Sequence, residues 1–372
     1  MVPVSVLIVT AGFGEGHNAA ARNIEEAIKE FHPEILVSVH DFFREAHPWI
    51  YPVAQWTYKT AIRRVPWAWN MFYQFLDRFP AVSSFGLGFY RRAARRMRDT
   101  ILRMEAGIVV STFPGYGPIF QRAARKLDLH LPFATVITDS ISINSIWLAA
   151  PSDAYFVPND PTAQVLEQKR IPRAKIRVTG FPVPLLFATS PAKPREVPPA
   201  NGIWKVLYMV NAEGDEAVET ARGLLSLENI ALTVTCGRDE NLARRFQNLG
   251  AETGRPIEVL GWVPEMPHLI RRSHLLIGKA GGATVQEAMA ARTPMVITKV
   301  VPGQEEGNAR LITGRGAGFV ATTPSAVVEA VRRIFDSGGS LYRDCLKAAT
   351  SLSHPAASKD IANLISSLCR RG

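Results

Sequence analysis

Short β-branched runs alternate with amphipathic, helix-like stretches along almost the whole chain, and the alternation occurs in two blocks. The first block extends from residues 4–10 to residues 176–179, and the second from residues 206–210 to residues 319–320. Strands that alternate with helices form right-handed βαβ units, whose mainly parallel sheets are covered on both faces. The sequence therefore predicts an α/β protein with two Rossmann-like domains.

A proline-rich stretch, residues 188–204, separates the two blocks and has the composition of a linker. We therefore predict an N-terminal domain over residues 1–187 and a C-terminal domain over residues 205–353. Residues 354–372 indicate a closing helix, which we expect to pack back on the N-terminal domain. Ligands of such folds bind at the carboxyl ends of the strands, so we expect the two sheets to face each other across a cleft.

The composition of the chain restricts its cellular compartment and its partners. The 372 residues include three widely spaced cysteines without a CxxC motif, which argues against a disulfide framework or a zinc site and favours a reducing compartment. No apolar run reaches the roughly 18–20 residues of a membrane span, and the first run indicates a strand rather than a signal peptide. The formal net charge of +10 points to nucleic acid or an anionic membrane as a partner.

A glycine pair, Gly281-Gly282, follows the strand-like run 275–277 and opens the next helix. Glycines let a ligand approach the backbone, and the unpaired amides of a helix N-terminus bind anionic groups. Glu287, one turn into this helix, is placed to accept hydrogen bonds from ribose hydroxyls. Gln304 and Glu305, on a loop shaped by proline and glycine, are placed to read a sugar. Together these residues predict a pocket for a nucleotide diphosphate sugar.

A second glycine motif, at residues 12–17, follows the first strand and ends in His17. A histidine at the tip of such a loop exchanges protons near neutral pH, because its unperturbed pKa is about 6.5. Asp139 ends a strand at the same edge of the predicted sheet, where a carboxylate can orient an imidazole base or bind an acceptor hydroxyl. The alternatives are that His17 only caps a helix start and that Asp139 caps the next segment.

Aromatic residues are concentrated between residues 42 and 105, and an arginine-rich helical stretch follows them. Four of the seven tryptophans of the chain lie there, namely Trp49, Trp56, Trp67 and Trp69. With arginines such as Arg92 and Arg96, this composition suits the headgroup region of an anionic bilayer. The alternative is an aromatic core beside a solvated arginine face. We expect no nucleic-acid partner, because no nucleic-acid-binding motif is present.

These residues resemble the lipid-modifying glycosyltransferases of GT-B fold that include diacylglycerol glucosyltransferases and monogalactosyldiacylglycerol synthases. The resemblance covers nearly the whole chain, and its most specific part is Pro302-Gly303-Gln304-Glu305. The other matching segments are residues 12–17, 112–114, 138–147, 178–183, 261–263, 281–288 and 308–309.

The resemblance implies a UDP-sugar donor and assigns residues to it. Gly281, Gly282 and Thr284 would hold the diphosphate, and Glu287 would hold the ribose. The expected donor-binding set is completed by Gly14, Gly16, Trp262, Val263, Gln304 and Glu305, with Trp262 and Val263 near the uracil. His17 would be the base that acts on the acceptor hydroxyl, with Asp139 nearby. No DxD motif is present, and we expect neither a metal nor a cofactor.

The implied activity is inverting transfer of a hexose to diacylglycerol by a cytoplasmic enzyme peripheral on the inner face of the cell membrane. Trp56, Trp67, Trp69, Arg92 and Arg96 are the expected acceptor and membrane residues. The alternatives are a polyprenyl-linked acceptor, as in the peptidoglycan relatives, and a catalytically weak UDP-sugar sensor. Two departures from the family pattern bear on the choice: Asn144 replaces a common histidine, and the loop 211–215 is unusually acidic.

Overall fold

The chain forms two compact units in a computed structural model. The model describes residues 4–64, 87–125, 130–189 and 202–369, with single positions 67, 71, 74, 78, 127, 197 and 198. The first unit comprises Met1–Ala188, Val301–Gly307 and His354–Gly372, and the second comprises Thr189–Val300 and Asn308–Ser353. Trp69 and most of the predicted linker, residues 190–196 and 199–201, lie outside the described residues.

Twelve strands occur in the described part of the chain, six in each unit. Those of the first unit are β1 (Ser5–Val9), β2 (Leu36–His40), β3 (Ala106–Ser111), β4 (Phe133–Val136), β5 (Ala154–Val157) and β6 (Ile176–Val178). Those of the second unit are β7 (Trp204–Met209), β8 (Ile230–Thr235), β9 (Ile257–Leu260), β10 (Leu275–Lys279), β11 (Met295–Lys299) and β12 (Gly318–Val320).

The helices that the structure describes connect and cover these strands. Before β7 they are α1 (Glu15–Phe31), α2 (Phe42–Ala46), α3 (Tyr51–Arg64), α4 (Leu87–Met104), α5 (Tyr116–Ala124), α6 (Asp160–Gln168) and α7 (Leu186–Thr189). After β7 they are α8 (Gly214–Leu225), α9 (Glu240–Thr253), α10 (Met266–Arg272), α11 (Gly282–Ala290), α12 (Glu306–Gly314), α13 (Pro324–Ser351) and α14 (Ala357–Cys369). Two short 3-10 helices lie at Ser145–Leu148 and Arg173–Lys175.

The sheet of the first unit has the order β2-β1-β3-β4-β5-β6, and every pairing in it is parallel. All five residues of β1 are buried, as expected for a central strand that is covered by helices on both faces. On one face, α14 packs against α1, and Ile361 and Ile365 join the core beneath the sheet. On the other face, α4 and α5 contribute Met97, Ile101 and Ile119 to a second core.

The sheet of the second unit has the order β12-β11-β10-β7-β8-β9 and is likewise parallel throughout. Its core is closed at one end by α13, where the Phe335 ring stacks on Trp204 with a centroid distance of 4.1 Å. In both sheets the strand order reverses beside a central strand. The reversal lies between β1 and β3 in the first sheet and between β7 and β10 in the second. Loops at the carboxyl ends of these strands are the usual ligand sites of doubly wound sheets.

The prediction of an α/β fold with two mainly parallel, Rossmann-like sheets is confirmed. The first and last strand-like runs of each block correspond to strands whose ends differ from the predicted ones by up to two residues. Helices α2 and α3, by contrast, lie in the aromatic segment, where no helix was predicted. None of the helices within the described residues is both long and apolar enough to cross a membrane.

Candidate functional site

His17 lies in the first turn of α1, directly after the glycine loop that follows β1. Gly14 precedes this helix with φ 150°, a conformation that side-chain-bearing residues rarely adopt, and so allows the sharp entry into α1. The half-buried His17 ring is packed edge-on against Phe113, with a centroid distance of 5.1 Å, and lies 5.9 Å from the Trp147 ring. The glycine loop thus places one imidazole at the carboxyl ends of β1 and β3.

One hydrogen bond determines which nitrogen of His17 carries the proton. Its Nδ1 lies 2.9 Å from the carbonyl oxygen of Thr112 and 2.9 Å from the hydroxyl oxygen of Thr138. Because a carbonyl oxygen only accepts, Nδ1–H is the donor, and Nε2 carries the lone pair. Nε2 has no hydrogen-bond partner within the described residues. Burial lowers the pKa of His17 from 6.5 to about 4, so at neutral pH the ring is an uncharged proton acceptor.

Asp139 is bonded to Trp147 rather than to His17. The Trp147 indole N–H donates to Asp139 Oδ2 over 2.7 Å, and within the described residues no hydrogen bond joins the carboxylate to the imidazole. Burial raises the pKa of Asp139 to about 6, and the indole bond opposes this rise. Asp139 therefore fixes the indole that lies beside His17, whereas the bond that orients the imidazole comes from Thr112.

The half-buried carboxylate of Asp41 and the phenol of Tyr51 hold the glycine loop in position. The Gly12 amide donates to the hydroxyl of Tyr51 over 2.6 Å and to Asp41 Oδ2 over 3.2 Å. The Tyr51 hydroxyl in turn donates to Asp41, and the Gly12 carbonyl accepts from Gln55 Nε2 over 2.5 Å. These supporting residues were not predicted from the sequence. The available signal was the position of Asp41, which ends β2 as Asp139 follows β4.

The Gln304 loop, Val301–Gly307, belongs to the first unit. Gln304 Oε1 lies 3.5 Å from the hydroxyl of Tyr58, and a side chain at Gly307 would collide with the backbone of Ser140. Glu305 is only 7% exposed, and its Oε2 accepts from the Val301 amide over 3.0 Å. The Glu305 side chain therefore stabilises the loop by accepting from its first residue. Gln304 lies next to the hydroxyl of Tyr58.

In the second unit, β10 leads through Ala280 and Gly281 into α11, and no side chain caps this helix. The amides of its first turn, which includes Gly282 and Thr284, are therefore left without a side-chain acceptor from the N-cap. An uncapped helix N-terminus with adjacent glycines favours an anionic group such as a diphosphate.

Glu287 stands on the same helix, one turn further on. It is half-buried, and its carboxylate has no hydrogen-bond or ion-pair partner within the described residues. Burial raises its pKa from 4.5 to about 7. Nearby, Asn308 Nδ2 donates to the Ala280 carbonyl over 3.0 Å, and the buried Asn308 Oδ1 has no partner among the residues that the structure describes. Within the described residues, Glu287 thus offers an acceptor for hydroxyl groups one turn after the N-terminus of α11.

Trp262 and Val263, which are also predicted to bind the donor, follow β9 in the second unit. Trp262 is 64% exposed, with the Arg238 guanidinium 5.2 Å from its ring centroid, and Val263 is half-buried. In the acidic loop, the exposed Asp215 pairs with Arg245 over 2.6 Å. The negative charge of Asp215 is therefore balanced by Arg245 at the surface.

Asn144, one of the two expected departures from the family pattern, is buried and caps a short helix. Its Oδ1 accepts from the Ile146 amide over 3.0 Å, at the start of the 3-10 helix that contains Trp147. In this chain the position therefore supports the segment that carries Trp147.

The predicted membrane residues are at the surface of the first unit. Trp56 and Trp67 are 68% and 66% exposed, and Arg92 and Arg96 lie on the exposed face of α4. The alternative of an aromatic core therefore does not apply to these two tryptophans. Trp69 is outside the described residues.

Comparisons with known proteins agree with this arrangement. Residues 17–183 match the family model of monogalactosyldiacylglycerol (MGDG) synthase, and residues 214–362 match the glycosyltransferase family 28 C-terminal domain. The chain is 26% identical over 351 residues to a processive diacylglycerol beta-glucosyltransferase of Bacillus subtilis (strain 168), covering 91% of this chain and 88% of the relative. A Bacillus cereus (strain B4264) protein of the same name is 27% identical, with 87% and 83% covered.

Solved structures show the same fold. MurG of Acinetobacter baumannii superposes with a TM-score of 0.66 at 17% identity, over 98% of this chain and all of that one. The lipopolysaccharide outer core galactosyltransferase WaaB gives a TM-score of 0.54 at 14% identity, covering 98% and 99%. The chain therefore has the GT-B fold of a glycosyltransferase, in which an N-terminal part matches the monogalactosyldiacylglycerol synthase family and a C-terminal part matches the glycosyltransferase family 28 C-terminal domain, and over most of its length it is similar to processive diacylglycerol glucosyltransferases.

Proposed function

We propose that this protein transfers a hexose from a UDP-sugar to the hydroxyl of diacylglycerol, with inversion at the anomeric carbon. The observation that carries the proposal is the neutral His17, whose Nδ1–H is committed to Thr112 and whose Nε2 is available as a base. The relatives are named diacylglycerol glucosyltransferases, which supports diacylglycerol as the acceptor and makes glucose the first sugar to test. The acceptor class and the base are thus supported by independent observations.

The reaction is a single displacement. His17 Nε2 takes the proton of the diacylglycerol hydroxyl while the oxygen attacks the anomeric carbon of an α-linked donor. The new C–O bond forms as the bond from this carbon to the UDP oxygen breaks, and UDP leaves with the electron pair. Attack from the face opposite the leaving group gives a β-glycoside. A positioned general base of this kind contributes about 10²–10⁴-fold to the rate.

The leaving diphosphate needs stabilisation of its developing charge. The uncapped amides of α11, at Gly282–Ala290, are the groups that supply it in this proposal. Preorganised backbone donors are worth roughly 3–4 kcal/mol each when they are aimed at a developing anion. Glu287 accepts from the ribose, and Gln304 reads the hexose.

We further propose that the first unit docks on an anionic bilayer. The residues before and within α3 expose large apolar side chains, namely Trp49, Ile50, Val53 and Trp56, and Trp49 is 90% exposed. On α4, the side chains of Ala93, Ala94 and Met97 are buried, and four arginines occupy the exposed positions between and around them. These are Arg91, Arg92, Arg95 and Arg96, which have no carboxylate partner among the described residues.

Such a combination of apolar and cationic surface binds anionic membranes, since each basic residue near the surface adds about 1 kcal/mol. The inner face of the cell membrane, which carries anionic lipid, is the proposed place of action. Diacylglycerol is located in the membrane, so docking on the bilayer also gives the protein access to its proposed acceptor.

Replacement of His17 by Gln tests the catalytic proposal. The variant should lose about 10²–10⁴-fold in kcat, because the base is removed, while the Kd of UDP stays within a factor of about two. Turnover is measured as UDP release with diacylglycerol vesicles, and binding by calorimetry. Thr10→Val, which removes a hydroxyl from the same glycine loop without touching the imidazole, is the matched control. Equal turnover of the His17→Gln and wild-type proteins would rule out His17 as the base.

A further inference from the structure

Helix α3 has two faces with different contacts. Val53 and Trp56 are exposed, and Trp49 and Ile50 extend this apolar surface just before the helix. Tyr51, Gln55 and Tyr58 lie on the opposite side, at spacings of four and three residues, which brings them onto one face of a helix. Of the α3 side chains whose exposure the structure describes, Tyr51 alone is buried.

The inward face holds the glycine loop at three points. The Tyr51 hydroxyl accepts from the Gly12 amide, and Gln55 donates to the Gly12 carbonyl. The Phe13 ring packs edge-on against the rings of Tyr51 and Tyr58, with centroid distances of 5.3 Å and 5.9 Å. The position of the loop that presents His17 therefore depends on the position of α3.

The same face also reaches the loop that is proposed to read the hexose. The Tyr58 hydroxyl lies 3.5 Å from Gln304 Oε1, and both residues belong to the first unit. Burial, against the lowering effect of the Gln304 hydrogen bond and with the nearby charges of Asp139 and Glu305, raises the pKa of Tyr58 to about 12, so the phenol stays protonated and acts as a donor. An amide oxygen that accepts from Tyr58 is held in one of its two flip states, which leaves the Gln304 NH₂ group to donate to a sugar hydroxyl.

We propose that Tyr58 is a positioning residue for Gln304 and that α3 couples docking on the bilayer to binding of the hexose part of the donor. A bilayer that restrains the outward face also restrains the inward face, because both are on one rigid helix. Among the described side chains of α3 only Tyr51 is buried, so an added contact with lipid has a large share in fixing the position of the helix. This inference rests on the proposed function, namely on a UDP-hexose donor and a bilayer partner.

The coupling makes a specific prediction about affinity. Vesicles of anionic phospholipid without diacylglycerol should tighten the binding of UDP-hexose to the wild-type protein by about 5–10-fold, at the lower end of common coupling factors. They should leave the Kd of UDP unchanged, because UDP lacks the hexose that Gln304 contacts. By reciprocity, saturating UDP-hexose should tighten vesicle binding by the same factor.

The test uses Tyr58→Phe, which removes one hydroxyl and keeps the ring against Phe13. Calorimetric titrations with UDP, UDP-glucose and UDP-galactose are run with and without vesicles. We expect the variant to bind UDP normally, to bind the preferred UDP-hexose about 3–10-fold more weakly, and to lose the response to vesicles. Tyr90→Phe, at a half-buried tyrosine of α4, is the matched control and should behave as wild type.

A merely structural role of Tyr58 would move the Kd values of UDP and UDP-hexose together, and this result would overturn the proposal. An unchanged response of Tyr58→Phe to vesicles would overturn it as well. If the wild-type protein binds UDP-hexose but does not respond to vesicles, the coupling fails and the transferase proposal stands. If it binds no UDP-sugar at all, the proposed function itself fails.

Discussion

His17 owes its chemical role to neighbours that are distant in the sequence. The Thr112 carbonyl selects the tautomer, and burial keeps the ring neutral. A histidine with a pKa of about 4 is a weak base in the resting protein, so the proton transfer depends on the hydroxyl becoming acidic as it attacks. The sequence indicated His17 through its loop, but nothing local to the loop identifies Thr112 or Thr138, which come from β3 and β4 only when the sheet is formed.

Glu287 shows the same dependence on tertiary structure. Its place in the sequence, one turn into a helix after a glycine pair, predicted the residue as a ribose acceptor. The rise of its pKa to about 7 could not be predicted from the sequence, since it comes from burial without a partner.

This pKa predicts how the affinity for UDP depends on pH. Ribose hydroxyls donate to the ionised carboxylate, so binding lowers the pKa of Glu287 below its value in the free protein. UDP should therefore bind more tightly as pH rises from 6 to 8, by up to about tenfold for each unit below 7. Calorimetry at several pH values measures this.

The Glu287→Gln variant is the control for this prediction, because UDP also titrates in this range. The variant should bind more weakly at pH 8 and retain only the shallower dependence of the phosphate itself. A wild-type profile that coincides with that of Glu287→Gln would show that Glu287 does not contact the donor.

At the scale of elements, periodicity predicted the strands well and failed at α3. Pattern analysis assumes that apolar residues of a helix face a core. In α3 the inward face carries Tyr51, Gln55 and Tyr58, and apolar residues such as Val53 and Trp56 are exposed. The pattern is thus inverted in the segment that we propose to contact lipid.

Helix α4 shows the expected pattern and carries the electrostatic part of the docking proposal. Changing Arg92 and Arg96 together to Glu should weaken binding to anionic vesicles by at least about 2 kcal/mol, or roughly 30-fold, because two attractive charges are removed and two repulsive ones are added. Cosedimentation at fixed salt measures the change. Stability should alter little, since both side chains are exposed.

A second pair of substitutions tests whether vesicle binding depends on the arginines of α4 or on the net charge of the protein. Arg244→Glu with Arg315→Glu reverses two exposed arginines of the second unit and changes the net charge by the same amount. This variant should sediment with vesicles as the wild type does. If both double variants lose vesicle binding equally, the net charge rather than α4 is responsible.

At the scale of the whole molecule, the alternation of strands and helices was enough to predict two doubly wound sheets. The alternation did not indicate that Val301–Gly307 belongs to the first unit. This segment lies in the sequence between two strands of the second unit. That assignment depends on contacts such as Gly307 against Ser140, which are far apart in the sequence. The assignment of the Gln304 loop to the first unit is therefore a tertiary property.

The most direct test of the central claim is the lipid product. The protein is incubated with diacylglycerol in anionic vesicles and with UDP-glucose or UDP-galactose in separate reactions, and UDP release and glycolipid are followed together. We predict equimolar UDP and a β-linked hexosyl diacylglycerol from one of the two donors. UDP-sugar binding without any glycolipid product from either donor would contradict the assignment of diacylglycerol as the acceptor.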